Sequence, residues 1–305
     1  MNKAIFPFHQ YLAPRFWLTW LLFMFMRTST YLPFTVQLKV GSLLGLLILK
    51  LSKSRAKITR INLAKCFPEK THQQIQQLTK QHFQAVGMSI IEIAMCWWAS
   101  DQKLKKLTTY DGLDNMQNAL AQHKGVLVLN AHFTPMLLAG RLLHLHFPPV
   151  HVVYFKHKNQ LFESMMIHRF RRLGGNVIDH QNMRGILRKL KQNIPVFYAP
   201  DQDFGKKHSL FVPFFNIPTA TAKAIHRLPK IQSTSVVALT YHRTQTGYKM
   251  MFAPALTNFP STNMEDDLTQ VNKIFEQQIL AAPEQYLWMH RRFKTRPEGD
   301  ASFYS

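Results

Sequence analysis

The chain has 305 residues, enough for one large domain or two small ones, and its 38 Lys and Arg against 16 Asp and Glu leave a net charge of +22. So basic a chain selects acidic partners, whether nucleic acid, anionic lipid head groups or acidic proteins. Its two cysteines, Cys66 and Cys96, exclude a disulfide framework and show no metal-ligand spacing, and there is no P-loop, dinucleotide fingerprint or internal repeat.

Residues 16–26 form an apolar run without a charge, flanked by Arg15 and Arg27. At a rise of about 1.5 Å per residue the run covers roughly half of a bilayer's hydrocarbon core. It cannot span alone. Extended through 28–37 it would cross with Arg27 buried; otherwise it lies in the interface with Trp17 and Trp20 at the head groups. A second apolar run, 40–49, leads into a basic collar of Lys50, Lys53, Arg55, Lys57 and Arg60, each cation worth on the order of 1 kcal/mol against an anionic leaflet. Residues 1–60 are therefore expected to be a membrane-associated segment and 61–305 the folded domain.

Thr71 and Gln74 make a capping box, and Ile75, Leu78, Phe83, Val86, Ile90, Ile93 and Trp97 recur at helical spacing, with Gly87 a weak point. Residues 101–124 read as a polar linker and a further helix. The stretch 126–129, opened by Gly125, reads as a strand buried on both faces. His132 follows just past its end, where open α/β sheets bind their ligands; the alternative is a structural histidine. Another strand is expected at 151–154. His144, His146 and His151 surround Pro148-Pro149, match no zinc spacing, and read as a loop.

The next helix carries Arg169, Arg171 and Arg172 before Gly174-Gly175 ends it, serving either phosphate or carboxylate binding or solubility. A strand at 176–179, a basic helix at 183–191 and a strand at 194–198 follow. Asp201 and Asp203 lie just beyond that last strand, either as site carboxylates facing the same cleft as His132 or as an Asx-type turn closed by Gly205. Strands are expected at 211–215 and 235–240, and Thr262 with Glu265 caps a helix over 264–280. The closing stretch 285–299 interleaves aromatics with five cations, but no RRM, KH, OB or helix-turn-helix pattern accompanies it, so nucleic acid is not the expected partner.

Several segments then fall into a known order: Asn62-Leu-Ala-Lys-Cys66-Phe-Pro68-Glu; His132-Phe133; Ala199-Pro-Asp201-Gln-Asp203-Phe-Gly205 with Val212-Pro-Phe-Phe215; and Gln285-Tyr-Leu-Trp288-Met-His290-Arg291-Arg292-Phe-Lys294-Thr-Arg296-Pro-Glu-Gly299. Together they resemble the late lipid A acyltransferases over nearly the whole chain. The resemblance implies an α/β protein with an αβα glycerolphosphate-acyltransferase-like fold, a mixed, largely parallel sheet and an N-terminal hydrophobic anchor, at the cytoplasmic face of the inner membrane. It implies transfer of a fatty acyl chain from acyl carrier protein, or acyl-CoA, to a hydroxyl of a lipid A precursor, with no metal and no cofactor besides the donor.

In that setting His132 stands at the position of the general base and Asp201 helps shape the site. Arg169, Arg171, Arg172, Asp203, Arg291 and Arg292 are expected to engage substrate phosphates or the acidic carrier. Five positions after the histidine the family carries an acid that orients the imidazole; this chain has Leu137. Phe155 likewise replaces an arginine, and Lys223 a small or uncharged residue. Three expectations follow. Asp201 or Asp203 orients His132 from the neighbouring strand end; or the enzyme runs slowly on a different lipid acceptor; or the chain binds lipid A precursor or acyl carrier protein without turnover.

Overall fold

The computed structural model describes residues 6–304. Helix α1 (Trp17–Ser29) stops short of Pro33, and α2 (Phe34–Leu51) starts immediately after it. Proline fixes its own backbone and offers no N–H to a continuing helix, so it starts a helix more readily than it extends one. The stretch 16–37 is thus two helices and not one crossing segment. Among the described residues only α2 is long and apolar enough to cross a membrane by length and composition. Each helix leaves an apolar face open, with Leu18, Leu21 and Phe25 exposed on α1 and Val36, Leu43 and Leu47 on α2.

Helix α3 (Lys53–Cys66) runs without a break through the boundary expected at 60/61. Helix α4 (His72–Trp98) carries the expected Thr71–Gln74 capping box and supports both α1 and α2. The α2–α4 crossing is built on glycine. A Cβ on Gly45 would overlap the Phe83 carbonyl, and one on Gly87 would overlap the Gly41 carbonyl. Gly87, the weak point of the helical pattern, is where the backbones meet, and Gln84 Nε2 donates to Ser42 Oγ across the crossing at 2.7 Å.

The expected polar linker is instead α5 (Asp101–Lys106) and β1 (Thr108–Asp111), and the further helix expected before the central strand is α6 (Leu113–Ala121). There follow β2 (Val126–Leu129), α7 (Met136–His146), β3 (His151–Tyr154), α8 (Gln160–Arg172), β4 (Asn176–Asp179), α9 (Met183–Lys191) and β5 (Val196–Tyr198). The remaining elements are β6 (Ser209–Phe214), β7 (Ile217–Ala222), α10 (Ala224–Gln232), β8 (Ser235–Arg243), β9 (Tyr248–Ala255) and α11 (Met264–Ala281). His144 and His146 lie in the last turn of α7 and His151 opens β3, so the histidine-rich stretch is mostly regular structure. The cap of α11 is Asn263, whose side chain accepts from Glu265 N at 2.9 Å, one residue later than the expected Thr262.

Seven strands form one mixed, largely parallel sheet in the order β1-β9-β8-β2-β5-β3-β4, with β8 and β9 the antiparallel pair. The fold fits an α/β acyltransferase. Central β2 is buried at every residue, as its Val-Leu-Val-Leu run requires. Residues 209–222 instead make a separate β6–β7 hairpin, turning on Phe215 and Asn216 with φ of 48° and 61°. That is the turn whose twist matches paired strands, although a phenylalanine is strained at positive φ. Phe67 and Trp288 pack on its ring, and Glu276 accepts its backbone N–H at 2.7 Å.

Candidate active site

Strands β2 and β5 are parallel neighbours, with Leu129 opposite Tyr198. His132 and Asp201 each lie three residues past that pair. Equal offsets along parallel strands bring them side by side. Asn130 extends the pairing beyond the strand ends, its N–H and its Nδ2 donating to the Tyr198 carbonyl at 3.1 and 3.0 Å.

The His132 N–H donates to Asp201 Oδ2 at 3.0 Å, and His132 Nδ1 meets Asp201 Oδ1 at 2.5 Å. The Asp201 side chain is 1% exposed and that of His132 15%. Burial pushes the Asp201 carboxyl up, but the facing His132, through its charge and both hydrogen bonds, and Arg292 hold it down to about 2. An ionised carboxylate only accepts, so this contact assigns the proton to Nδ1 and leaves Nε2 as the basic nitrogen.

The His132 loop is fixed from three sides. Phe133 bridges Tyr286, Leu287 N donates to the His132 carbonyl at 2.9 Å, and Thr134 N donates to the Gln285 carbonyl at 2.8 Å. Tyr241 donates to the Ala131 carbonyl at 2.9 Å. Arg243, buried, makes a two-pronged pair with Glu92 at 2.7 and 2.9 Å and reaches Thr134 Oγ1 at 3.3 Å. From α3, Asn62 Nδ2 donates to the carbonyls of Trp288 and His290 at 2.7 and 2.8 Å.

The remaining expected site residues part company. Asp203 is a latch: Thr295 donates to it through N at 2.6 Å and Oγ1 at 2.8 Å, and Gly205 N donates at 2.8 Å. The Asx turn describes Asp203, not Asp201. Arg292 is buried, donating to the Ala220 carbonyl at 2.6 Å and lying over the Phe214 ring. Arg291 is exposed beside Tyr304.

Helix α8 returns to the amino ends of the strands, where Asn176 N meets the Val150 carbonyl. Arg169, Arg171 and Arg172 lie in its last turn, with Arg171 within electrostatic reach of Tyr154, the last residue of β3. Burial, with Arg172 and Arg27 nearby, lowers the guanidinium pKa of Arg169, which sits over Trp98. Leu137, in the first turn of α7, packs against the hydrophobic core, and Phe155 stacks on His180. Among the described residues no group of three or more His, Cys, Asp or Glu is arranged to hold a metal ion.

This geometry joins four segments far apart in the chain around one His–Asp pair. Residues 8–295 match the family model described as bacterial lipid A biosynthesis acyltransferase. The chain belongs to that family. It is 35% identical over 298 residues to the lipid A biosynthesis palmitoleoyltransferase of Escherichia coli K12, covering 97% of each chain. It is 34% identical to the lauroyltransferase of the same organism over 96% of each chain, and 32% identical to a lipid A biosynthesis acyltransferase of Haemophilus influenzae over 94%.

As a lipid A biosynthesis acyltransferase family member, the chain is an acyltransferase. Sequence reasoning about its site missed His290, Tyr241 and the Glu92–Arg243 pair. His290 is pushed down to about 4 by burial, aided by His132 and Arg292 and opposed by Asp201, so it is neutral beside the site at neutral pH. Its place in the closing motif was a usable signal. Nothing local marks Glu92 or Arg243, whose partners are 151 residues apart.

Proposed function

We propose that the protein transfers a fatty acyl chain from acyl carrier protein to a hydroxyl of a lipid A precursor at the cytoplasmic face of the inner membrane, with His132 as general base and Asp201 as its orienting acid. The observation that carries this reading is the Asp201 carboxylate on His132 Nδ1 in a chain of this family. The acceptor O–H attacks the thioester carbonyl as Nε2 takes its proton, forming the C–O bond. Collapse of the tetrahedral intermediate breaks the C–S bond, and the imidazolium returns the proton to the departing thiolate. Asp201 stabilises the imidazolium while it exists.

The donor reading rests on charge, since a chain of +22 favours an acidic carrier protein. The membrane reading rests on the open apolar faces of α1 and α2 and the basic collar after them.

The test is mass spectrometry of lipid A from cells lacking the gene, complemented with wild type or with His132→Ala. A species heavier by one acyl group should appear with wild type alone. Identical spectra with both proteins in the membrane would sink the transfer reading and favour the binding protein for which Leu137 is the motive.

A further inference from the structure

The last turns of α2 and the facing sides of α3 and α4 enclose a crevice of about 600 Å³ that the acyl-transfer reading does not use. Its walls include Leu49 of α2, Lys53, Ala56 and Arg60 of α3, and His72 and Gln76 of α4. Helical spacing explains the set: 53, 56 and 60 share one side of α3, and 72 and 76 one side of α4. Arg55 and Asn62, on the other side of α3, hold the Met289, Trp288 and His290 carbonyls, so the crevice opens away from the closing segment that carries the His132 site.

Its chemistry has one sign. Among the described residues no acid lines it, and the side chains of Lys53 and Arg60 have neither an ion pair nor a hydrogen bond. The nearest acid in sequence, Glu69, is engaged by Lys70 at 3.8 Å. The first turn of the 27-residue α4 adds the positive end of its dipole at His72. Leu49 and the buried Ala56 supply an apolar wall, and the same end of α2 exposes Leu47 and Leu51. Cations above an apolar wall, at the end of a helix with an open apolar face, match the phosphate and first methylenes of a lipid.

We propose that this crevice binds the phosphodiester head group of an anionic glycerophospholipid, a resident lipid distinct from the acyl acceptor. The inference rests on the membrane part of the proposed function. A bound lipid would hold α2, α3 and α4 at a set depth and leave the His132 cleft free for substrate.

The test follows thermal unfolding of the full chain in neutral detergent with short-chain phosphatidylglycerol, the matching phosphatidylcholine, or inorganic phosphate. Phosphatidylglycerol alone should raise the midpoint. The double variant Lys53→Gln with Arg60→Gln should weaken that binding about thirtyfold, two cations' worth. A control of equal charge loss, Lys105→Gln with Lys106→Gln, should keep the wild-type response. Gln76→Glu, which sets a carboxylate among the bases and leaves them in place, should also lose it.

An equal shift from phosphate would make this a free-anion site, and one from phosphatidylcholine an apolar contact only. A control that loses as much as the double variant would reduce the effect to net charge. Each of these overturns the proposal. Flotation with phosphatidylcholine vesicles, driven by the apolar faces of α1 and α2, tests the membrane reading separately, so the two failures are distinguishable.

Discussion

Asp201→Asn keeps the shape of the side chain and removes the charge that balances a protonated His132. In a serine-protease triad the equivalent change costs about 10⁴ in turnover, and a loss of that order in acyl transfer is expected here. Leu137→Glu should leave the rate unchanged, because Nδ1 already has its partner in Asp201. A rate that rose with Leu137→Glu would show that the Asp201 contact orients the ring poorly. Acidity provides an independent reading. Asp201 is held at about 2, below its ordinary 3.8, so its contacts stabilise the folded protein above about pH 4 and are lost as pH falls toward 2. The contribution is on the order of 2 kcal/mol. Unfolding free energies of wild type and Asp201→Asn should therefore differ most near neutrality and converge in acid; parallel curves would contradict a depressed Asp201.

At the scale of elements, two pairings hold the N-terminal helices and the His132 loop in place. Gly45→Val would put a branched side chain into the Phe83 carbonyl, so α2 must leave α4. Overpacking of this kind costs about 1–3 kcal/mol, and limited proteolysis should show new cleavage between α1 and α2. Glu92→Ala leaves Arg243 charged and buried without its partner, which costs about 3–5 kcal/mol. Urea unfolding should show that loss, and a variant as stable as wild type would mean Arg243 finds water instead. The elements themselves were legible where their pattern was local. The buried run of β2 and the periodicity and capping box of α4 are read directly. Strands β1 and β7 were not, because Thr-Thr-Tyr-Asp and Ile-Pro-Thr-Ala-Thr-Ala lack a period-two apolar pattern and owe their conformation to the partner strand.

Across the whole molecule, Asn62 links the motif that begins at residue 62 to the closing one. Asn62→Ala would remove two donors from the buried closing segment, and Tyr304, whose hydroxyl donates to Asn62 Oδ1 at 2.5 Å, would lose its anchor. Each unmet polar group costs about 1–3 kcal/mol. Faster hydrogen exchange over 286–304 is expected, with helix content kept; unchanged exchange would show that packing of Trp288 alone holds the segment. The alternation of strands and helices, the histidine at a strand end and the order of the four motifs were legible along the chain because each is a property of neighbouring residues, and the basic charge because it is a plain sum. That Asp201 and not Asp203 meets His132, and that Arg292 is buried, came from three-dimensional packing. Both depend on β5 lying beside β2, and strand order is set by long-range packing that no local pattern encodes.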